Sequence, residues 1–102
     1  MTTATARMTK EDWDKHWQVR KIERIAGNDN DPEVRITAIN SLNSEYSAKK
    51  LDILLTFEKN SAVRLSIVKK MDPTHSGSKM GLWLHFETDP EVRKEIIRKI
   101  SR

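Results

Sequence analysis

The sequence contains no cysteine, and glycine, proline and aromatic residues are few. Without cysteine there can be no disulfide framework, no thiolate zinc site and no cysteine nucleophile. The three glycines are scattered, so no Gly-rich loop that could cradle a phosphate is present. No apolar run approaches the ~20 residues of a membrane helix, and the N-terminus lacks the apolar segment of a signal peptide. We therefore expect a protein of the reducing cytoplasm.

Metal-binding patterns are also missing. The three histidines are His16, His75 and His85. No two of them are four residues apart, and none belongs to an HExxH arrangement. We accordingly predict that the protein is not an enzyme and takes neither a metal nor a cofactor.

Length and composition favour one small folded domain. The chain has 102 residues, of which 36% are hydrophobic and 33% are charged, and this suits a single core. The formal net charge is +4, and the segment 61–102 alone carries +4 (9 basic minus 5 acidic residues). The basic excess is therefore C-terminal.

A five-residue motif recurs at a constant step of 29 residues (60 minus 31 and 89 minus 60). Its copies are Asp31-Pro32-Glu33-Val34-Arg35, Asn60-Ser61-Ala62-Val63-Arg64 and Asp89-Pro90-Glu91-Val92-Arg93. After each motif Val, apolar residues recur at offsets of +4, +5 and +8, which form one stripe of an α-helix. Asp or Asn can cap such a helix, and Pro suits its first turn. The motif therefore predicts three equivalent amphipathic helices.

A second helical pattern precedes each motif. In the last two copies its apolar residues keep the same step, ending at Phe57 and Phe86. In the first copy Val19, Ile22 and Ile25 fit if three extra residues are allowed between positions 26 and 30. The expected helices span about 10–26, 32–42, 45–59, 61–71, 75–88 and 90–101. Residues 1–8 are expected to form a flexible tail.

A helix pair whose second helix opens with Asp-Pro-x-Val-Arg and continues with spaced apolar residues resembles the HEAT repeat in its short, PBS-lyase-like form. The resemblance covers about residues 9–102 as a single domain, with repeats at about 9–42, 43–71 and 72–102. It implies an all-α fold, a short right-handed α-α superhelix (solenoid) of about three helix pairs. The sequence departs from the family in lacking the middle proline and in carrying Ile96 where a small alanine is usual.

The cap, the Val and the Arg of each copy form a structural repeat signature. Its members are Asp31, Val34, Arg35, Asn60, Val63, Arg64, Asp89, Val92 and Arg93. The resemblance implies that each Arg hydrogen-bonds turn carboxylates or carbonyls of adjacent repeats, with Asp31 and Asp89 as the expected acceptors. The alternative interpretation is an anion-binding ladder of arginines.

Basic residues lie six and seven positions after the motif Val in the second and third copies, where the first copy is neutral. The resemblance implies that these positions line the inner surface of a protein-binding scaffold. The predicted face for an acidic protein partner consists of Asn40, Ser41, Lys69, Lys70, Arg98 and Lys99. The alternatives are a solvated face and sequence-independent binding of a nucleic-acid backbone, with log K falling against log salt at a slope of about −3 to −4.

Trp13 and Trp17 lie four residues apart on the first predicted helix. Trp17 falls outside the apolar stripe of that helix, so it either packs against the second repeat or anchors a partner. Three short repeats leave each terminal face with only one neighbour, which favours burial of these tryptophans in a symmetric homodimer. At the other end, Lys94 replaces Ile36 and Leu65 of the earlier copies, and this predicts a polar C-terminal cap.

Overall fold

Six α-helices make up the regular structure of the described residues. The computed structural model describes residues 9–101, except the side chains of 76–79. The helices are α1 (Lys10–Asn28), α2 (Pro32–Asn40), α3 (Ala48–Phe57), α4 (Ser61–Lys70), α5 (Pro73–Trp83) and α6 (Pro90–Ile100). No strand occurs in this part of the chain. The prediction of an all-α fold is confirmed, while the predicted tail at 1–8 lies outside the described residues.

The motif residues open their helices as predicted. The Asp31 carboxylate accepts the N–H of Glu33 in the first turn of α2, and the caps of α4 and α6 do the same with two N–H groups each. These bonds satisfy donors that a helix start otherwise leaves unpaired. Asp72 followed by Pro73 is a fourth signal of this kind. It starts α5 two residues earlier than the predicted position 75.

The 29-residue step continues into the first helix pair without an insertion. Asp29, Glu58 and Glu87 lie at that step, and each carboxylate accepts the backbone N–H two residues further on, at 2.9, 3.0 and 2.9 Å. Helix α1 runs on to Asn28, immediately before the first of these carboxylates. The prediction of three extra residues between positions 26 and 30 is therefore wrong.

No insertion is needed, because the two phenylalanines at the ends of the pattern are not core residues. Phe57 and Phe86 are 75% and 70% exposed, because they lie at or beyond the last turn of their helices. Once they are removed from the pattern, Ile22, Ile25 and Ala26 correspond to the apolar residues of α3 at a step of 29. All three pack in or against the core.

The helices contact one another within pairs and between neighbouring pairs. The pairs are α1 with α2, α3 with α4, and α5 with α6. Contacts also follow the row of first helices (α1, α3, α5) and the row of second helices (α2, α4, α6). Between the rows lies one apolar cluster, to which every helix contributes buried side chains. Each pair therefore holds its position mainly through its neighbours in sequence.

One glycine allows a close approach between α1 and α3 in the row of first helices. A Cβ atom at Gly27 would lie only 3.0 Å from Cδ2 of Leu54. A larger residue would therefore require the Leu54 side chain to shift by a few tenths of an ångström. This contact lies next to Asp29, at the edge where the polar connections between repeats begin.

Candidate functional site

The motif arginines make the most regular polar contacts in the molecule. Nε and Nη2 of Arg35 donate to the two carboxylate oxygens of Glu58 at 3.1 and 3.0 Å. Arg64 donates in the same way to Glu87 at 2.9 and 3.0 Å. Both pairs are mostly buried, and a bidentate pair of this kind fixes the relative position of its two groups. Each of these arginines therefore joins its own repeat to the next.

The acceptors differ from those expected. Asp31 and Asp89 cap their own helices, and the carboxylates that receive the arginines are Glu58 and Glu87, two residues before the next cap. The prediction of Asp31 and Asp89 as acceptors is therefore wrong. The physical reason is that a cap carboxylate is already turned toward the first-turn N–H groups of its own helix.

A bond from Nη1 holds each motif arginine to its own repeat. Nη1 of Arg35 donates to the carbonyl of Asp29 at 2.6 Å. In the next two copies, Nη1 of Arg64 donates to the carbonyl of Glu58 at 3.3 Å, and Nη1 of Arg93 donates to the carbonyl of Glu87 at 2.9 Å. All three guanidinium groups therefore have the same anchor.

The predicted partner-binding face lies at the C-terminal ends of the second helices. Nζ of Lys99 donates to the carbonyls of Lys69 and Met71 at 2.7 and 2.8 Å. This contact brings the ends of α6 and α4 together, and it offsets the negative end of the α4 dipole. Asn40 is exposed at the end of α2, and Ser41 follows it with its hydroxyl donating to the Thr37 carbonyl.

The basic residues of this face are not equally available to a partner. The ammonium of Lys99 is held by backbone carbonyls, and Lys70 is half-buried. Arg98 is exposed and donates to Glu95 within its own helix. Lys69 is exposed. The charges that solvent reaches most freely are therefore those of Lys69 and Arg98.

The tryptophans of α1 belong to an exposed aromatic patch, which we define as Trp13, His16, Trp17 and Tyr46. Trp13 and Trp17 are 47% and 63% exposed. The His16 ring lies edge-on between them, at centroid distances of 6.1 and 5.9 Å. Nδ1 of His16 is 3.1 Å from the hydroxyl of Tyr46, which ties α1 to the loop before α3. By contrast, the third tryptophan, Trp83, packs against the core.

Sequence reasoning missed an exposed apolar stripe on the row of first helices. Ile53 and Phe57 on α3 correspond, at a step of 29, to Leu82 on α5 and Phe86 just beyond it, and all four are exposed. The signal in the sequence is the recurrence of apolar residues at both positions in the second and third copies. The first copy has Arg24 and Asn28 there, so the stripe covers only two of the three repeats.

A buried carboxylate was also missed. Glu23 is buried on α1 and accepts a hydrogen bond from the Ser47 hydroxyl at 2.8 Å. Ser47 is itself buried at the start of α3. This bond connects the first helices of two neighbouring pairs. No local pattern predicts it, because the two residues are 24 positions apart.

Two further properties concern the described part of the chain only. No group of three or more acidic or histidine side chains within it could hold a metal ion. None of its helices has the length and apolar character needed to cross a bilayer.

Comparisons with protein-family models, with curated proteins and with solved structures found no match for this chain. The interpretation of its surfaces therefore depends on their own geometry and charge.

Proposed function

We propose that this chain is a non-enzymatic protein-interaction module of the HEAT-like class, a short right-handed superhelix of about three helix pairs that acts as a cytoplasmic scaffold. The proposal is supported by the arginine contacts that recur at one period and by helix contacts that follow the order of the pairs. Its partner is an acidic protein bound at the ends of the second helices. The observation that carries this assignment is the exposure of Lys69 and Arg98 on adjacent helix ends.

The chemistry of this face suits a weak, salt-sensitive contact. Lys99 already neutralises the end of α4, so the charge of Lys69 remains available to a partner. The Arg98 side chain is 61% exposed, although it pairs with Glu95, whose side chain is only 13% exposed. A partner carboxylate can therefore approach Arg98 from the solvent side while the guanidinium stays paired with Glu95. Opposite charges across such a rim mainly accelerate association.

Charge reversal tests this face. Lys69→Glu with Lys70→Glu should abolish capture of a partner from native lysate on the immobilised protein. The matched control is Lys49→Glu with Lys50→Glu on α3, an adjacent pair with the same pattern of one exposed and one half-buried lysine. The control should retain the partner. Unchanged retention by the first double variant, with its helical circular dichroism intact, would exclude this face.

Sequence-independent binding of a nucleic-acid backbone is the second candidate. It is favoured by the same cluster of positive charge, which attracts phosphates as well as carboxylates. Because the ammonium of Lys99 is held by carbonyls, about three cations remain for phosphate contacts, and the slope of log K against log salt should be about −3. A gel shift at low salt that gives no complex at micromolar protein would remove this candidate.

Homodimerisation through the aromatic patch remains part of the proposal. It is supported by the exposure of Trp13 and Trp17, since tryptophan is enriched among residues that dominate interfaces. Light scattering together with iodide quenching tests it. A dimer whose tryptophans are shielded supports the contact, and a strictly monomeric protein whose tryptophans are quenched contradicts it.

A further inference from the structure

The third motif arginine has the anchor of the other two but lacks their carboxylate. Nη1 of Arg93 donates to the carbonyls of Leu84 and Glu87 at 2.7 and 2.9 Å. Among residues 9–101 no carboxylate receives its Nε and Nη2, which in Arg35 and Arg64 point to the next repeat. At the C-terminal end of the stack, the bonds of Nη1 therefore orient the Arg93 guanidinium, and its Nε and Nη2 can donate to a further carboxylate.

The complementary half lies at the opposite end of the molecule. Asp29 occupies the position that Glu58 and Glu87 have in the later copies. Its Oδ1 accepts the backbone N–H of Asp31 at 2.9 Å, and the two glutamates likewise accept the N–H of the residue two positions later. No arginine or lysine of the described chain pairs with it. The Asp29 carboxylate is therefore fixed in orientation at the place where Glu58 and Glu87 accept the arginine of the preceding repeat.

The two ends also expose apolar side chains that are buried at equivalent positions inside the stack. Ile97 and Ile100 at the C-terminal end are 47% and 40% exposed, whereas Val68 and Met71, one step earlier, are fully buried. At the N-terminal end Val34 is 39% exposed, whereas the two later motif valines are fully buried. Each end therefore lacks the kind of neighbour that the other end could provide.

A groove at the N-terminal end is shaped to receive such side chains. It has a volume of about 410 Å³ and lies between α1 and α2, lined by Ile22, Ile25, Val34 and Ala38 with polar residues at its rim. One step later in the sequence, the equivalents of the first two residues are Leu51 and Leu54, which the stack buries.

We propose that a second copy of this chain docks end to end, with Ile97 and Ile100 against the Val34 groove of the next copy and Arg93 paired with its Asp29. In this contact, the last helix pair of one copy packs on the first pair of the next copy in the same way as neighbouring pairs pack within one molecule. It is heterologous, so it produces open stacks rather than a closed symmetric dimer. It uses neither the exposed charges of Lys69 and Arg98 nor the aromatic patch, although Ser41 of the predicted partner-binding face lies at the rim of the groove.

The stack should be weaker than the internal contacts. Asp29 is one methylene shorter than the glutamates that it replaces, and Lys94 stands where Ile36 and Leu65 are half-buried in the earlier copies. We therefore expect association at about 10–500 µM that weakens as salt is added.

Sedimentation over that concentration range tests the contact with the full chain. The weight-average mass should rise with concentration beyond that of a dimer, and Arg93→Glu or Asp29→Arg alone should hold it at or below the dimer value. An equimolar mixture of the two variants should associate again, because the two introduced charges are opposite. Lys49→Glu, the same change of charge on the middle pair, should associate like the unchanged chain.

Other results would overturn the proposal. One is a monomer of the unchanged chain at every concentration, and another is association that neither variant alters. Failure of the mixture to associate, with both variants folded by circular dichroism, would also contradict the pairing. If Arg93→Glu does not fold, Arg93→Gln replaces it, and that variant must weaken association by at least several-fold.

Discussion

At the scale of single residues, Glu58 and Glu87 each accept more hydrogen bonds than the cap residue two positions further on. Glu87 accepts hydrogen bonds from Nε and Nη2 of Arg64, and it also accepts the backbone N–H groups of Thr88 and Asp89. It therefore holds the turn between α5 and α6 while it connects the second repeat to the third. A residue with both tasks should be sensitive to substitution.

Glu87→Ala should lower the free energy of unfolding by about 2–4 kcal/mol. The substitution leaves the mostly buried guanidinium of Arg64 without its counter-charge, and breaking one side of such a pair is costly. Lys94→Ala, an exposed control on the next helix, should change stability by less than about 0.5 kcal/mol. Urea unfolding followed by circular dichroism measures both values. Equal midpoints for the two variants would show that the pair does not stabilise the fold.

The cap of α5 gives a prediction about proton binding. The backbone N–H of Thr74 and, to a smaller extent, its hydroxyl donate to Asp72. Both bonds lower the pKa of the Asp72 carboxyl below its ordinary value. A lowered pKa in the folded state means that the cap stabilises the fold above the ordinary range of aspartate and loses this effect as the pH falls through the folded value. Low pH should therefore loosen this helix start.

Thr74→Ala should raise the pKa of Asp72 toward its ordinary value, because one of the two donors is lost. Carbon NMR of the carboxyl groups as a function of pH measures the change. Asp12 is the matched control, since its pKa is lowered in the same way by the backbone and hydroxyl of Thr9. Its titration should not move. A parallel shift of both groups would indicate a general electrostatic effect instead of the local bond.

At the scale of helices, α4 is the one second helix that lacks a first-turn proline. The backbone of Asn60 has φ −86° and ψ 123°, close to the φ −89° and ψ 118° of Asp31 before Pro32. A residue before proline must be extended in this way. Position 61 can therefore accept proline without a change of backbone.

Ser61→Pro should raise the melting temperature by about 2–6 °C, because it restricts the unfolded chain by about 0.4–1 kcal/mol while leaving the folded helix unchanged. Ser66→Pro, in the interior of the same helix, should destabilise by about 3 kcal/mol or more. Calorimetry of the two variants compares them directly. A lower melting temperature for Ser61→Pro would show that the first turn of α4 needs the N–H of residue 61.

Local chemistry explains which parts of the fold could be predicted. Caps, first-turn prolines and apolar stripes act within one or two turns, so all six helices and the recurring starts at Asp31, Asn60 and Asp89 follow from the sequence. The contacts of Arg35 and Arg64 reach 23 residues ahead, and a repeat period does not say which of two nearby carboxylates is free to accept. An apolar stripe also predicts which side of its helix Phe57 lies on, but it does not predict that the helix ends at Phe57 and leaves the side chain exposed. Likewise, only the packing of α6 on α4 shows that the ammonium of Lys99 is held by carbonyls.

At the scale of the whole molecule, the repeats form a linear order in which burial depends on place. In such an arrangement each unit is stabilised mainly by its neighbours, so equivalent residues have unequal effects. The motif valines are the sharpest case, because Val63 and Val92 are fully buried while Val34 is 39% exposed. The three share a side chain, a helix position and a preceding cap. Within residues 9–101, Val34 is the one of the three that has no repeat on its N-terminal side.

Val63→Ala and Val92→Ala should each lower the free energy of unfolding by about 1.5–3 kcal/mol, since both remove buried methyl groups and leave a cavity. Val34→Ala should cost about 0.5–1 kcal/mol, because its side chain is already partly in water. Urea unfolding at a few µM, below the range expected for end-to-end association, measures the three under one condition. Equal costs at all three positions would mean that the first repeat has a cover on its outer side. A larger cost for Val34→Ala at high protein concentration is expected if a second copy fills its groove.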